Sequence, residues 1–124
     1  MVRRPRRGDG GQATVELAIA LPIVLMVLLV IVQAGLVIRT QLLVTHAARE
    51  GARVAAVGED PMAAAVASSD LDPSRMRIDR SGGSAPGEMV TVTITYQAPT
   101  NVPLVGQLVD DVSLTAEATM RIEG

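Results

Sequence analysis

The sequence predicts an α+β protein: a long N-terminal transmembrane helix that continues into a soluble stalk and packs on a small three-stranded antiparallel sheet. Three observations predict it. The 22 residues from Leu17 to Ile38 contain one polar side chain, Gln33. Beyond Ile38 small apolar residues keep a four-residue spacing, Leu43, Ala47, Gly51 and Ala55, with Ala48, Ala52 and Ala56 beside them. After residue 75 the apolar period drops to two in three separate runs, each with one greasy face.

The helix comes first. At 1.5 Å per residue a 22-residue span reaches roughly 33 Å, the thickness of a hydrocarbon core of about 30 Å. Pro22 removes one backbone donor, so a bend is expected there with the carbonyl of Ala18 freed. The helical pattern runs from about Gln12 to Val57, with Arg39, His46, Arg49, Glu50 and Arg53 interspersed in its outer half, and Gly58 terminates it. Pro61 after Asp60 opens a second, short helix that ends near Ser68 and Ser69. The strands follow. Met76 and Ile78 alternate with charged residues, Val90 to Tyr96 alternate with threonines, and Val112 to Glu123 alternate apolar with polar. Ser81 to Gly87, and a longer loop through Pro99, Pro103 and Gly106, separate them, which makes a meander of three antiparallel strands the economical arrangement. A sheet this small needs a cover, and the outer half of the long helix can supply it. The domains are then 1–11, a basic leader; 12–57, the long helix, transmembrane over 17–38 and exported and amphipathic over 39–57; and 58–124, a small exported α+β domain.

Charge sets the orientation. Arg3, Arg4, Arg6 and Arg7 precede the span against one acid, Asp9, whereas residues 39 to 124 hold seven Arg and eleven acids, a net of −4. By the positive-inside rule the N-terminus is cytoplasmic and the body extracytoplasmic. A cleaved secretory signal fits poorly, because its apolar region runs about 7 to 15 residues and ends at a small-residue site. The whole chain of 124 residues has a formal charge of −2 and a single aromatic residue, Tyr96, so it lacks both the basic balance and the stacking platform of a nucleic-acid binder. It has no cysteine and one histidine, His46, so neither a thiolate nor a two-histidine metal site can form. No cofactor and no small-molecule substrate are expected. Asp70, Asp72, Asp110 and Asp111 read as turn acids, no nucleophile or phosphate-loop motif is present, and an enzyme is not expected.

The residues that carry chemistry sit at the mouth of the helix, in Arg6-Arg7-Gly8-Asp9-Gly10-Gly11-Gln12-Ala13-Thr14-Val15-Glu16. A carboxylate costs about 2.5 to 3.5 kcal/mol at the centre of a membrane helix and less at its edge, so Glu16 calls for a reason. A helix start offers a partial one, since the dipole there favours an anion. The combination resembles a class III signal peptide, cut by a prepilin peptidase on the cytoplasmic side. It implies scission between Gly11 and Gln12, with Glu16 at mature position five. Glycine before the scissile bond lets an extended backbone enter a tight site.

A closer resemblance adds to this. Gly11-Gln12-Ala13-Thr14-Val15-Glu16-Leu17-Ala18, then Leu21-Pro22, then His46-Ala47-Ala48-Arg49-Glu50-Gly51-Ala52-Arg53 resembles the TadE-like family of pseudopilins of the tight-adherence (Flp) pilus system. The likeness covers residues 7 to 57 well and the strands at 88 to 96 and 112 to 123 more loosely. It implies a membrane-anchored, pilin-like subunit in the bacterial cell membrane, processed before it takes part in pilus assembly. The implied partners are the prepilin peptidase, other pilin-like subunits, the assembly machinery and the lipid bilayer. The new N-terminal amine and Glu16 of staggered neighbours would pair. Three further readings belong to the residues themselves. Ala47, Gly51 and Ala55 allow close approach of either the protein's own sheet or a neighbouring helix. Glu50 and Arg53 form an i,i+3 pair, and His46 is a polar residue of the helix surface. The competing function is an unprocessed single-pass anchor that presents a small extracytoplasmic binding module; a secreted hydrolase subunit is more remote.

Overall fold

A computed structural model describes residues 9 to 124. Arg3, Arg4, Arg6 and Arg7 of the basic leader lie outside the described residues. The elements are α1 (Asp9–Ala55), α2 (Pro61–Ala67), a single 3-10 turn (Pro73–Arg75), β1 (Met76–Gly82), β2 (Met89–Ala98) and β3 (Val112–Arg121). They form the expected α+β arrangement of one long apolar helix and a three-stranded antiparallel sheet in the order β1-β2-β3.

α1 remains α-helical through Pro22 for its 47 residues and starts about one turn before Gln12. Its C-terminus is closed by backbone geometry. Gly58 takes φ 82°, which a side chain resists, its N–H donates to the carbonyl of Ala55 at 3.2 Å, and the N–H of Glu59 reaches back to Val54 at 2.9 Å. That pair of bonds is the Schellman closure and satisfies carbonyls the helix end leaves open. Asp60 then caps α2 by accepting from the N–H of Met62 at 3.0 Å, with Pro61 as the first helical residue. The short turn at Pro73–Arg75 is an element that the apolar periodicity does not announce. Asp72 builds it, its carboxylate accepting from the N–H of Ser74 at 3.0 Å and from the Ser74 hydroxyl at 2.7 Å.

The core lies between the outer half of α1 and one face of β2 and β3. Along β2, Val90, Val92, Ile94, Tyr96 and Ala98 are buried, every second residue, and the threonines between them face outward. Across the β2–β3 ladder Ile94 stands opposite Ala116 and Tyr96 opposite Leu114, so large residues face smaller ones on the buried side. On the outer side Thr91 pairs with Thr119, their hydroxyls 2.8 Å apart. Tyr96 is buried, and its hydroxyl accepts from the N–H of Asp72 at 3.3 Å, which removes the cost of an orphan phenol.

Candidate functional site

α1 offers two chemically distinct stretches. In the outer one, Val44, Ala47, Ala48, Ala52 and Ala55 are at most 2 % exposed, and Gly51 is buried with them. A Cβ built on Gly51 would meet Val92 Cγ1 at 3.3 Å and the Pro61 Cβ at 3.5 Å. The small residues of this stretch therefore bring the helix axis against β2 and α2 of the same chain. His46, Arg49 and Arg53 lie on the opposite, exposed side. Glu50 accepts from the Arg53 guanidinium, which holds the Glu50 carboxyl below its ordinary range.

The inner stretch is uncovered. From Val15 to Ile38 most of the large apolar side chains are about half exposed or more, as at Leu17, Ile23 and Leu28, whereas Leu29 and Val37, on the same face as the buried Gln33, are partly covered. The helix is apolar and long enough to cross a membrane, and its most apolar window has no buried residue.

At the head of this stretch Gly10, Gly11, Gln12 and Glu16 are all exposed and helical. A Cβ on Gly10 or Gly11 would meet nothing within 4 Å, so access to the Gly11–Gln12 bond is open on the helix surface. The Thr14 hydroxyl donates to the Gly10 carbonyl at 2.8 Å and spans that bond. The Gln12 side-chain amide donates to Glu16 Oε1 at 3.5 Å, at the outer limit of a hydrogen bond, which places both on one face a turn apart. The bond lies inside a helical turn, and two consecutive glycines each weaken that turn by about 1 kcal/mol relative to alanine.

Among the described residues, open grooves occur on the sheet-bearing half. One of about 440 Å³ is lined by Arg53, Ala56, Val57, Met120, Arg121 and Glu123, and another of about 540 Å³ by Ala55, Gly58, Glu59, Asp60, Arg80 and Ser84. Among the described residues no group of three or more His, Asp or Glu stands where it could hold a metal ion. The acids read as turn residues act structurally in two cases: Asp72 as the cap already described, and Asp111 by accepting from Arg75 at 3.0 Å and from the N–H of Thr100 at 3.3 Å. The Ser74 hydroxyl and N–H hold the Asp72 carboxyl below its ordinary range.

One long apolar helix, its outer half seated on the chain's own antiparallel sheet, thus carries Gly11, Gln12 and Glu16 exposed at its head. Residues 11–53 match the family model of TadE-like protein, the family the sequence resembles. The match begins at Gly11 and ends at Arg53, so it takes in the bare stretch and most of the small-residue stretch, and the sheet lies outside it. TadE-like proteins are pilus-associated, structural and pilin-like. No curated protein and no solved structure matches the chain.

Proposed function

We propose that the chain is a pilin-like subunit, anchored through Leu17 to Ile38 with its N-terminus cytoplasmic, cut by a prepilin peptidase between Gly11 and Gln12, and then taken into tight-adherence pilus assembly. The observation that carries this reading is the family match, which starts at the residue before the proposed cut. The open, glycine-weakened turn around that bond supports it. Cutting removes the arginine-rich leader and leaves the bare apolar helix at the front of the mature protein.

Glu16 then has a partner. The new amine of Gln12 is about 6 Å away along its own helix, an awkward distance within one subunit. Between staggered subunits the amine of one helix meets Glu16 of the next. In a low-dielectric bundle that pair fixes the register, because either charge left alone costs several kcal/mol. Intact mass and pilus fractionation test both steps. The wild-type protein loses 11 residues when a cognate peptidase is present; Gly11→Phe keeps them; Glu16→Ala is cut but missing from sheared pili and from the assembly complex. A wild-type protein that retains its leader beside an active peptidase leaves the chain as an unprocessed anchor presenting its sheet.

A further inference from the structure

The connection between β2 and β3 differs from the rest of the exported half. From Pro99 to Val109 it carries no charged side chain and holds Val102, Leu104, Val105, Leu108 and Val109. Val102 and Val105 are buried, whereas Leu104, Leu108 and Val109 are 49 %, 76 % and 49 % exposed. The segment is built. The N–H of Gly106 donates to Val102 at 2.9 Å, and those of Leu108 and Val109 both donate to Val105 at 3.0 Å. Leu104 sits at φ 68°, a backbone region that favours glycine, yet carries a large apolar side chain. At the base, Asp111 accepts from Arg75, and the Thr100 hydroxyl donates to the Asp110 carbonyl at 3.1 Å. An apolar tip therefore rises from a charged collar.

The register of β3 on α1 places this tip. The Gln41 side chain donates to the Thr115 carbonyl at 3.2 Å, and the N–H of Glu123 donates to the Ala56 carbonyl at 3.1 Å. Fifteen residue steps along the helix, from 41 to 56, thus match eight along the strand, from 115 to 123, or about two helix residues per strand residue. Three residues before Thr115, Val112 is level with about Gly35, and the loop continues from there toward the inner stretch. Gln33 is the second observation. It is 9 % exposed although Val30, Val32 and Leu36 beside it on the helix are 45–52 % exposed, and its Oε1 is buried without a partner. Leu29 and Val37, one turn to either side on the same face, are partly covered as well, so a part of the chain beyond the helix lies over this face. The loop is the part of the chain that reaches its level.

We infer that the Pro99–Val109 loop is a second membrane contact, seated in the outer leaflet beside α1, with Leu104, Leu108 and Val109 against acyl chains and Arg75, Asp110 and Asp111 at the headgroups. The inference rests on Leu17 to Ile38 being a membrane span, because the occupant follows from continuity: the exposed apolar tip lies at the level of that span's outer end and adjoins its bare surface. The loop also shields Gln33 from lipid, which accounts for a polar residue in the middle of the apolar run. Two contacts instead of one set the tilt of the sheet above the bilayer.

The chain has no cysteine, so single replacements give single labels. Ile31→Cys, Leu108→Cys and Ser84→Cys, each labelled with an environment-sensitive fluorophore, are reconstituted as full chains in phosphatidylcholine and phosphatidylglycerol vesicles with and without brominated acyl chains. The expected result is loss of emission at positions 31 and 108 and none at 84, which lines the groove beside Gly58 at the far end of the domain. Leu104→Asp in the 108-labelled protein restores its emission and leaves quenching at position 31 unchanged. Quenching at 31 without quenching at 108 overturns the inference and leaves the span. No quenching at 31 removes the span and the inference together. Quenching at 84 equal to that at 108 contradicts the placement, and a blue shift at 108 that depends on protein density instead of brominated lipid assigns the loop to a second copy.

Discussion

The two halves of α1 are both apolar, lie on one continuous helix and yet meet different surroundings. The inner half, Leu17 to Ile38, is dominated by leucine, isoleucine and valine, most of which stand well exposed, the partly covered face of Leu29, Gln33 and Val37 excepted. The outer half turns alanines and Gly51 toward the sheet and keeps its arginines on the far side. Side-chain volume makes the difference. A strand such as β2 can come within van der Waals contact of a helix only where Cβ atoms are few and small, whereas fluid acyl chains fill around branched side chains of any shape. Helical period therefore locates a face, and residue size says whether protein or lipid can cover it.

The sharpest way to break the comparison is to place a charge in the bare half. Leu25→Arg should weaken membrane insertion by about 2.5 to 3.5 kcal/mol, read as the fraction extracted by alkaline carbonate, while leaving the circular dichroism of the sheet in detergent unchanged. Crowding the covered half comes next. Gly51→Leu drives a side chain into Val92 and Pro61 and should lower the unfolding free energy in micelles by about 1 to 3 kcal/mol, with insertion unaffected. A matched pair then sharpens the contrast: Val44→Ala, at a fully buried position, should cost about 1 to 2 kcal/mol, and Val24→Ala, 62 % exposed, should cost nothing measurable in the same assay.

The smallest effect is electrostatic. Glu50 and Asp72 have carboxyls held low by Arg53 and by Ser74 respectively. Groups of depressed pKa add stability that is present above their unfolded values, about 4, and is lost as the pH falls toward the folded ones. The thermal midpoint of the sheet-bearing half should therefore drop slightly on acidification below about pH 4, and Glu50→Gln should flatten that slope without a visible change at pH 7, since such exposed pairs contribute little.

Much of this was legible in the sequence, for reasons that differ by element. The strands were readable because β2 and β3 bury one face only, which writes a strict alternation into Val90 to Tyr96 and Val112 to Ile122. The helix end was readable because only glycine tolerates the φ of Gly58 without strain. The cover of the small-residue stripe was open, since alanine at four-residue spacing suits a strand or another helix equally, and only the register of Gly51 against Val92 decides it. The turn at Pro73–Arg75 was hidden because Asp72 reads as any turn acid until the Ser74 bonds are seen. Pro99 to Val109 read as a plain loop because its prolines and Gly106 signal turns whatever their depth, and its level along α1 depends on strand register that composition does not encode. At the helix mouth the residue types at Gly11, Gln12 and Glu16 pointed to processing, while their shared exposed face comes from the fold.

Whether one helix passes from lipid to its own sheet is tested most directly by a cysteine-accessibility scan in intact spheroplasts. Single replacements at Gly8, Leu25, Arg49 and Ser84, each in the otherwise cysteine-free full chain, are exposed to a membrane-impermeant maleimide before and after permeabilisation. The predicted result is reaction from outside at positions 49 and 84, reaction at position 8 only after permeabilisation and before any cut, and no reaction at position 25 in either state. Labelling of position 25 from the outside, or of position 49 only after permeabilisation, would contradict it.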